Sequence, residues 1–223
     1  MNSEILTDGT ENVLVVGLTG QTGAGKTTVS EIFAERGFEI INADLVARKV
    51  VEPNSPCLAE LCDCFGNGIL LPDGSMNRKK VAEIAFSDPC KTEILGSTMF
   101  PYITNEILSE IRRFAAKGKR YILMDAPTLF ESHADDFCQL VLSVLANPDT
   151  RRSRIIARDG LTVEQAEKRM NAQLSEEYFK THSDFVIYND EDAAQLRAVT
   201  LEVIEKVQEY YQLHYTFQTN VIS

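Results

Sequence analysis

A chain of 223 residues with 44% hydrophobic and 25% charged residues has the composition of a globular protein with one sizeable core. Its formal net charge of -11 argues against general nucleic-acid binding and against adhesion to anionic membranes, so an anionic substrate must be held by a local cluster of Lys and Arg. No apolar run approaches the ~20 residues of a membrane span, and the polar stretch Met1 to Glu11 reads as a flexible leader without signal-peptide character.

Val13 to Val16 is an uninterrupted apolar run, suited to a strand buried on both faces of a parallel sheet. Gly20, Gln21, Thr22, Gly23, Ala24, Gly25, Lys26 and Thr27 follow, and they fit G-x-x-x-x-G-K-[ST] without a gap. Glycines let backbone N–H groups turn around phosphate oxygens, Lys26 supplies a cation and Thr27 a hydroxyl for Mg²⁺. Thr28 to Ala34 continues as a helix whose N-terminus faces the same anion.

Gly37 closes that helix, and Phe38 to Ile41 is a short second strand. Asp44 stands beyond it, on the ligand side of an open sheet, and is also placed to cap the helical run Leu45 to Val51. Cys57 to Phe65 has helical spacing. Cys57, Cys62 and Cys64 lie close together, but no second Cys/His pair stands at ligand spacing. The five cysteines therefore read as reduced thiols, and the compartment as cytoplasm. Asn77 is placed to cap a helix opening with Arg78, Lys79 and Lys80. Asp88-Pro89 starts another, and Pro101 is expected to break the chain before the amphipathic segment Tyr102 to Lys117.

Tyr121 to Met124 forms an apolar-leaning strand ending in Asp125, the pattern of a carboxylate near the Mg²⁺ shell of P-loop enzymes. Leu140 to Leu145 is a further buried strand. Asn147-Pro148 opens a helix with Arg151, Arg152, Arg154 and Arg158, and Thr162 with Gln165 forms a capping box. That density of arginine in an acidic chain points to a polyanion, although helix-face ion pairs with Glu164 and Glu167 account for part of it. Phe185 to Ile187 is a last strand, and Leu196 to Tyr211 a closing helix that packs on the sheet. The alternation predicts an α/β fold of the P-loop NTPase type: a parallel sheet with helices on both faces, a helical substrate-binding insertion and a helical lid. The expected divisions are a leader over 1–10, a core over 11–44, 120–147 and 181–223, an insertion over 45–119 and a lid over 148–180.

From about Val13 to Tyr211 the chain resembles the dephospho-CoA kinase family. Gly17 to Thr28 stands for that family's GLTGGIGSGKST, Asn42-Ala43-Asp44 for its DAD, and Val50 to Leu58 for its VVxPGxPxL. Phe65-Gly66 and Asp73 to Arg78 stand for FG and DGxLxR, with Met76 at the Leu position, and Pro127 to Glu131 stands for PLLFE, with Thr128 in place of a Leu. Arg154 to Arg158 and Arg169 to Gln173 match RxxxR and RxxxQ. The other departures are Gln21 and Thr22 in the loop, Asn42 for an aspartate, Phe100 for the histidine of HPxI, and Tyr188 in VIDN.

The resemblance implies ATP-dependent phosphorylation of the ribose 3′-hydroxyl of dephospho-CoA, giving CoA and ADP. It implies Lys26 and the loop from Gly20 to Thr28 on ATP, and Mg²⁺ held through Thr27, with Asp125 beside it. Arg158 closes over the phosphates, and Thr19, Asp44, Arg78, Pro127 and Leu129 face the acceptor. Asp44 orients the hydroxyl and accepts its proton. The partner is a small molecule rather than nucleic acid or membrane, bound by a monomer or weak homo-oligomer. Another small-molecule kinase on the same fold and a non-catalytic CoA or nucleotide sensor stay open. A GTPase switch is a weaker alternative still, because no N/T-K-x-D motif is present.

Overall fold

A computed structural model describes residues 9–85 and 87–215, so most of the expected leader and the last eight residues lie outside the described residues. The chain divides into two units, residues 1–41 with 114–223 and residues 42–113.

The first unit is built on a five-stranded sheet of order β2-β3-β1-β4-β5. Its strands are β1 (Leu14–Gly20), β2 (Glu39–Asn42), β3 (Tyr121–Asp125), β4 (Leu140–Leu145) and β5 (Phe185–Tyr188). β1 runs parallel to β3 on one side, with Leu14 opposite Tyr121, and to β4 on the other, with Val16 opposite Leu140. β4 in turn runs parallel to β5. Every residue of β1 is buried, which is why its sequence is apolar on both faces rather than alternating, with Thr19 its one polar side chain. The chain leaves β1 toward β2 and later returns to its other side as β4. The C-terminal end of β1 is therefore a topological switch point, where open sheets of this type bind ligands.

Leu14, Val16 and Leu18 share one core cluster with Val29, Ile32 and Phe33 of α1 (Lys26–Glu35) and with Leu196, Val203, Ile204 and Val207 of α9 (Ala193–Tyr215). These two helices cover that face, and each such aliphatic side chain contributes about 1.5–3 kcal/mol when fully buried. On the other face Gly17 leaves room for the 129–138 segment. A Cβ there would stand 2.8 Å from Cys138 Sγ and 2.9 Å from Leu129 Cδ2. An aromatic row, Phe33, Phe38, Tyr121 and Tyr211, joins neighbours at 4.8 to 5.1 Å, and the Tyr211 hydroxyl donates to the Asn12 carbonyl at 2.9 Å. Helices α6 (Pro148–Asp159), α7 (Val163–Asn171) and α8 (Glu176–Thr181) connect β4 to β5. The predicted caps are present: Asn147 accepts from Thr150 N–H, and Thr162 and Gln165 form the reciprocal box.

The second unit contains α2 (Ala43–Lys49), α3 (Pro56–Phe65), α4 (Arg78–Ala85) and most of α5 (Pro89–Ala116). Ser55 and Asn77 cap α3 and α4 at 3.2 and 3.0 Å. Two expectations are corrected. The cap of α2 is Asn42, whose Oδ1 accepts from Leu45 N–H at 2.9 Å, and Asp44 lies inside the first turn. Asn42 has the extended backbone and the three-residue offset that a cap needs, while Asp44 is already helical. Pro101 does not break the chain, because α5 runs through it. Leu95, Met99 and Tyr102 stand at helical spacing across the proline and pack on the cluster of Val51, Cys57, Leu58, Leu61, Ile69 and Val81. That shared apolar stripe offsets the ~3 kcal/mol that an interior proline costs.

Candidate active site

β1 ends in the glycine-rich loop, and α1 begins at Lys26. Gly20, Gly23 and Gly25 all have positive φ, at +132°, +78° and +101°. At Gly20 the requirement is also steric, since a Cβ would stand 2.1 Å from the Val144 carbonyl oxygen. Lys26 Nζ arches back and donates to the Gly20 carbonyl at 2.9 Å, which places its ammonium over the loop.

The loop's shape is fixed from outside. Arg151 Nε donates to the Thr22 carbonyl at 3.0 Å, Arg154 Nη1 to the Gly23 carbonyl at 3.4 Å, and Asn189 Nδ2 to the Ala24 carbonyl at 2.7 Å. In a trans peptide the C=O and the next N–H point in opposite directions. Three consecutive carbonyls held outward thus turn the following amides toward the hollow of the loop. Ala24 N–H closes a turn onto the Gln21 carbonyl at 3.1 Å, whereas the Gly23 and Gly25 amides donate to no acceptor among the described residues. With the N-terminus of α1, they make a cradle that fits a phosphate group.

Thr27, in the first turn of α1, is exposed. Asp125 ends β3 opposite Leu18, and the next amide, Ala126 N–H, donates to the Leu18 carbonyl at 3.0 Å. A hydroxyl in the first turn of α1, and a carboxylate ending the strand that pairs with β1, are groups that suit Mg²⁺, which takes few protein ligands and completes its shell with phosphate and water. No cluster of three His, Cys, Asp or Glu that would hold a metal by itself occurs among the described residues.

Of the other sequence candidates, Thr19 is fully buried at the end of β1, and its hydroxyl donates to the Pro127 carbonyl at 3.4 Å. Leu129 is fully buried beneath the same turn. Asp44 and Arg78 are exposed in the first turns of α2 and α4, in the second unit. Arg158 ends α6 with its fork on Asp159, both bonds at 2.8 Å, and Arg169 donates to the same carboxylate at 2.7 Å. Hydrogen bonding from Arg158, then the charges of both arginines, holds the Asp159 carboxyl below its usual range. Arg151, Gln173 and Asn189 hold the loop in the structure, and none of them is a site candidate from the sequence. Gln173 and Asn189 fall inside quoted motifs, whereas Arg151 is one of four arginines on a helix and carries no local mark.

A family model described as dephospho-CoA kinase matches residues 14–195. A dephospho-CoA kinase of Listeria innocua is 38% identical over 191 residues, covering 86% of this chain and 96% of its own length. One from Oryza sativa is 36% identical over 195 residues, covering 87% and 85%. Among solved structures, dephospho-CoA kinase from Campylobacter jejuni aligns with a TM-score of 0.66 at 27% identity, covering 87% of this chain and 97% of its own. A complete phosphate cradle at the switch point, a helical unit between β2 and β3, and likeness along nearly the whole chain lead to one assignment: the chain belongs to the dephospho-CoA kinase family.

Proposed function

We propose that this protein transfers the γ-phosphoryl group of ATP to the ribose 3′-hydroxyl of dephospho-CoA, releasing CoA and ADP. The observation that carries the reading is the loop from Gly20 to Thr27, with its carbonyls pinned outward and Lys26 arched over it. Phosphoryl transfer asks mainly for alignment and charge neutralisation, so a rigid cradle with a fixed cation is the part the chemistry needs most. Lys26 and the loop amides bind the β- and γ-phosphates. Thr27 holds Mg²⁺ with Asp125 beside it, and the ion when bound neutralises charge on the phosphate oxygens.

Asp44 orients the acceptor hydroxyl and takes its proton as the new P–O bond forms and the bond to ADP breaks. Asp44 and Arg78 belong to the helical unit, which is the part assigned to the acceptor. Thr19 and Leu129, being buried, act through the Pro127 turn that they support. Arg158 leaves Asp159 to meet the phosphates from the lid, residues 148–180, which also excludes water as a competing acceptor. The free cysteines and the absence of a membrane-spanning helix among the described residues are consistent with a cytoplasmic enzyme.

The test is a panel of acceptors with Mg-ATP, reading ADP. Turnover with dephospho-CoA and phosphate found on the 3′-oxygen is expected. ADP formation with another alcohol in place of dephospho-CoA, or none beyond hydrolysis, overturns the proposal.

A further inference from the structure

Among the described residues of the first unit, Arg151 is the charged residue most withdrawn from water, only 5% exposed, and no carboxylate of the described residues lies within ion-pairing distance of it. Burial pushes the Arg151 guanidinium toward losing its proton, the charge of Glu176 opposes this from beyond contact distance, and a cation so withdrawn persists only where its hydrogen bonds are used. Both of its recorded bonds lead to one place. Nε donates to the Thr22 carbonyl at 3.0 Å, and Nη2 to Gln173 Oε1 at 3.5 Å. The same Gln173 oxygen accepts the Thr22 N–H at 2.7 Å. Both peptide planes flanking Thr22 are thereby held by two side chains from outside the loop, one on α6 and one just beyond α7.

We propose that Arg151 and Gln173 form a clamp on Thr22 that sets the phosphate-binding shape of the loop, making both positioning residues for ATP. The Thr22 carbonyl, drawn outward by Arg151, turns the Gly23 amide into the cradle. The Thr22 amide, drawn outward by Gln173, is kept from rotating the preceding plane. The planar guanidinium spans the two acceptors at fixed geometry, which an ammonium does not reproduce. Neither residue touches the phosphates, so the clamp acts on nucleotide affinity more than on the chemical step. The inference rests on the reading of this loop as the ATP site.

The experiment measures MgATP affinity by calorimetry, kcat with dephospho-CoA, and melting temperature, for wild type, Arg151→Met, Gln173→Leu, Gln173→Glu and the double variant Arg151→Met/Gln173→Leu. Gln173→Leu and Arg151→Met should each weaken MgATP by about tenfold, the scale of one lost hydrogen bond to a charged or buried partner. kcat at saturating ATP should stay within about threefold. The double variant should be about as weak as the poorer single, because the two side chains act as one unit. Gln173→Glu keeps the acceptor for both donors and should stay within about threefold of wild type. Independent, multiplying losses overturn the clamp. So do unchanged MgATP affinity with a lowered melting temperature, and a Gln173→Glu variant as weak as Gln173→Leu. If Arg151→Met does not fold, the comparison of Gln173→Leu with Gln173→Glu decides alone. Failure of wild type to bind MgATP refutes the site reading itself, whereas normal wild-type binding with unaffected variants refutes only the clamp.

Discussion

Replacing Gly25 by alanine should damage the loop in two separable ways. Gly25 caps α1 in the left-handed region, φ +101° and ψ 27°, which costs a residue with a Cβ about 1–2 kcal/mol. The new Cβ would also stand 2.3 Å from Asn189 Nδ2, a distance that real Cβ contacts essentially never show. Asn189 is buried and donates to the Ala24 carbonyl at 2.7 Å, so its retreat breaks that bond and leaves the carbonyl only the long bond from Arg154 Nη1 at 3.5 Å, a loss of about 1–3 kcal/mol. The expected loss is ~2–5 kcal/mol, or roughly 4–20 °C in Tm for a chain of this size. Urea unfolding followed by circular dichroism suits the measurement, because the chain has no tryptophan. Asn189→Ala alone loses the same bond. Gly25→Ala/Asn189→Ala should therefore be more stable than the summed singles predict, by ~1–3 kcal/mol. Additivity within ~0.5 kcal/mol would refute the argument that the two residues share one contact.

Other expectations follow from the same geometry. Lys26→Met should abolish turnover while the fold holds, with stability lowered by no more than about 0.5–1.5 kcal/mol for the lost bond to the Gly20 carbonyl, and near-native activity would remove the arched ammonium from the mechanism. Asp44→Asn should melt within a few degrees of wild type, since Asn42 rather than Asp44 caps α2, and should lose ~10²–10⁴ in kcat; a variant within a few-fold of wild type would leave the proton without this acceptor. Asn42→Ala should lower stability by ~1 kcal/mol through the cap alone, checked by denaturant midpoint with the m-value unchanged. Arg158→Lys should impair kcat because an ammonium cannot replace the fork now seated on Asp159, and unchanged kinetics would make that contact a surface ion pair.

The parts legible in the sequence are those governed by neighbours a few residues apart. The loop, the buried run of β1, the Asn77 and Asn147 caps and the Thr162–Gln165 box are such features. The misreadings have the same origin. Asp44 and Asn42 both suit a cap, and backbone geometry chose between them. Pro101 looks like a break until Leu95, Met99 and Tyr102 are seen sharing one core on both sides of it. Arg151 could not be told from Arg152, Arg154 or Arg158, because its burial depends on Thr22 and Gln173, 129 and 22 residues away.

The position of β1 in the sheet has a consequence for synthesis. Leu14 to Gly20 leave the ribosome well before the partners they pair with, Tyr121 to Asp125 and Leu140 to Val144. At ~5–20 residues per second, this apolar strand waits roughly 5–20 s with both edges unpaired. The intervening helical unit, with its mostly local contacts, is made complete during that interval. The central strand of the sheet is thus made ahead of both its neighbours and sheltered late. The nascent chain is most exposed to aggregation, and most in need of a holding chaperone, before residue 145 emerges.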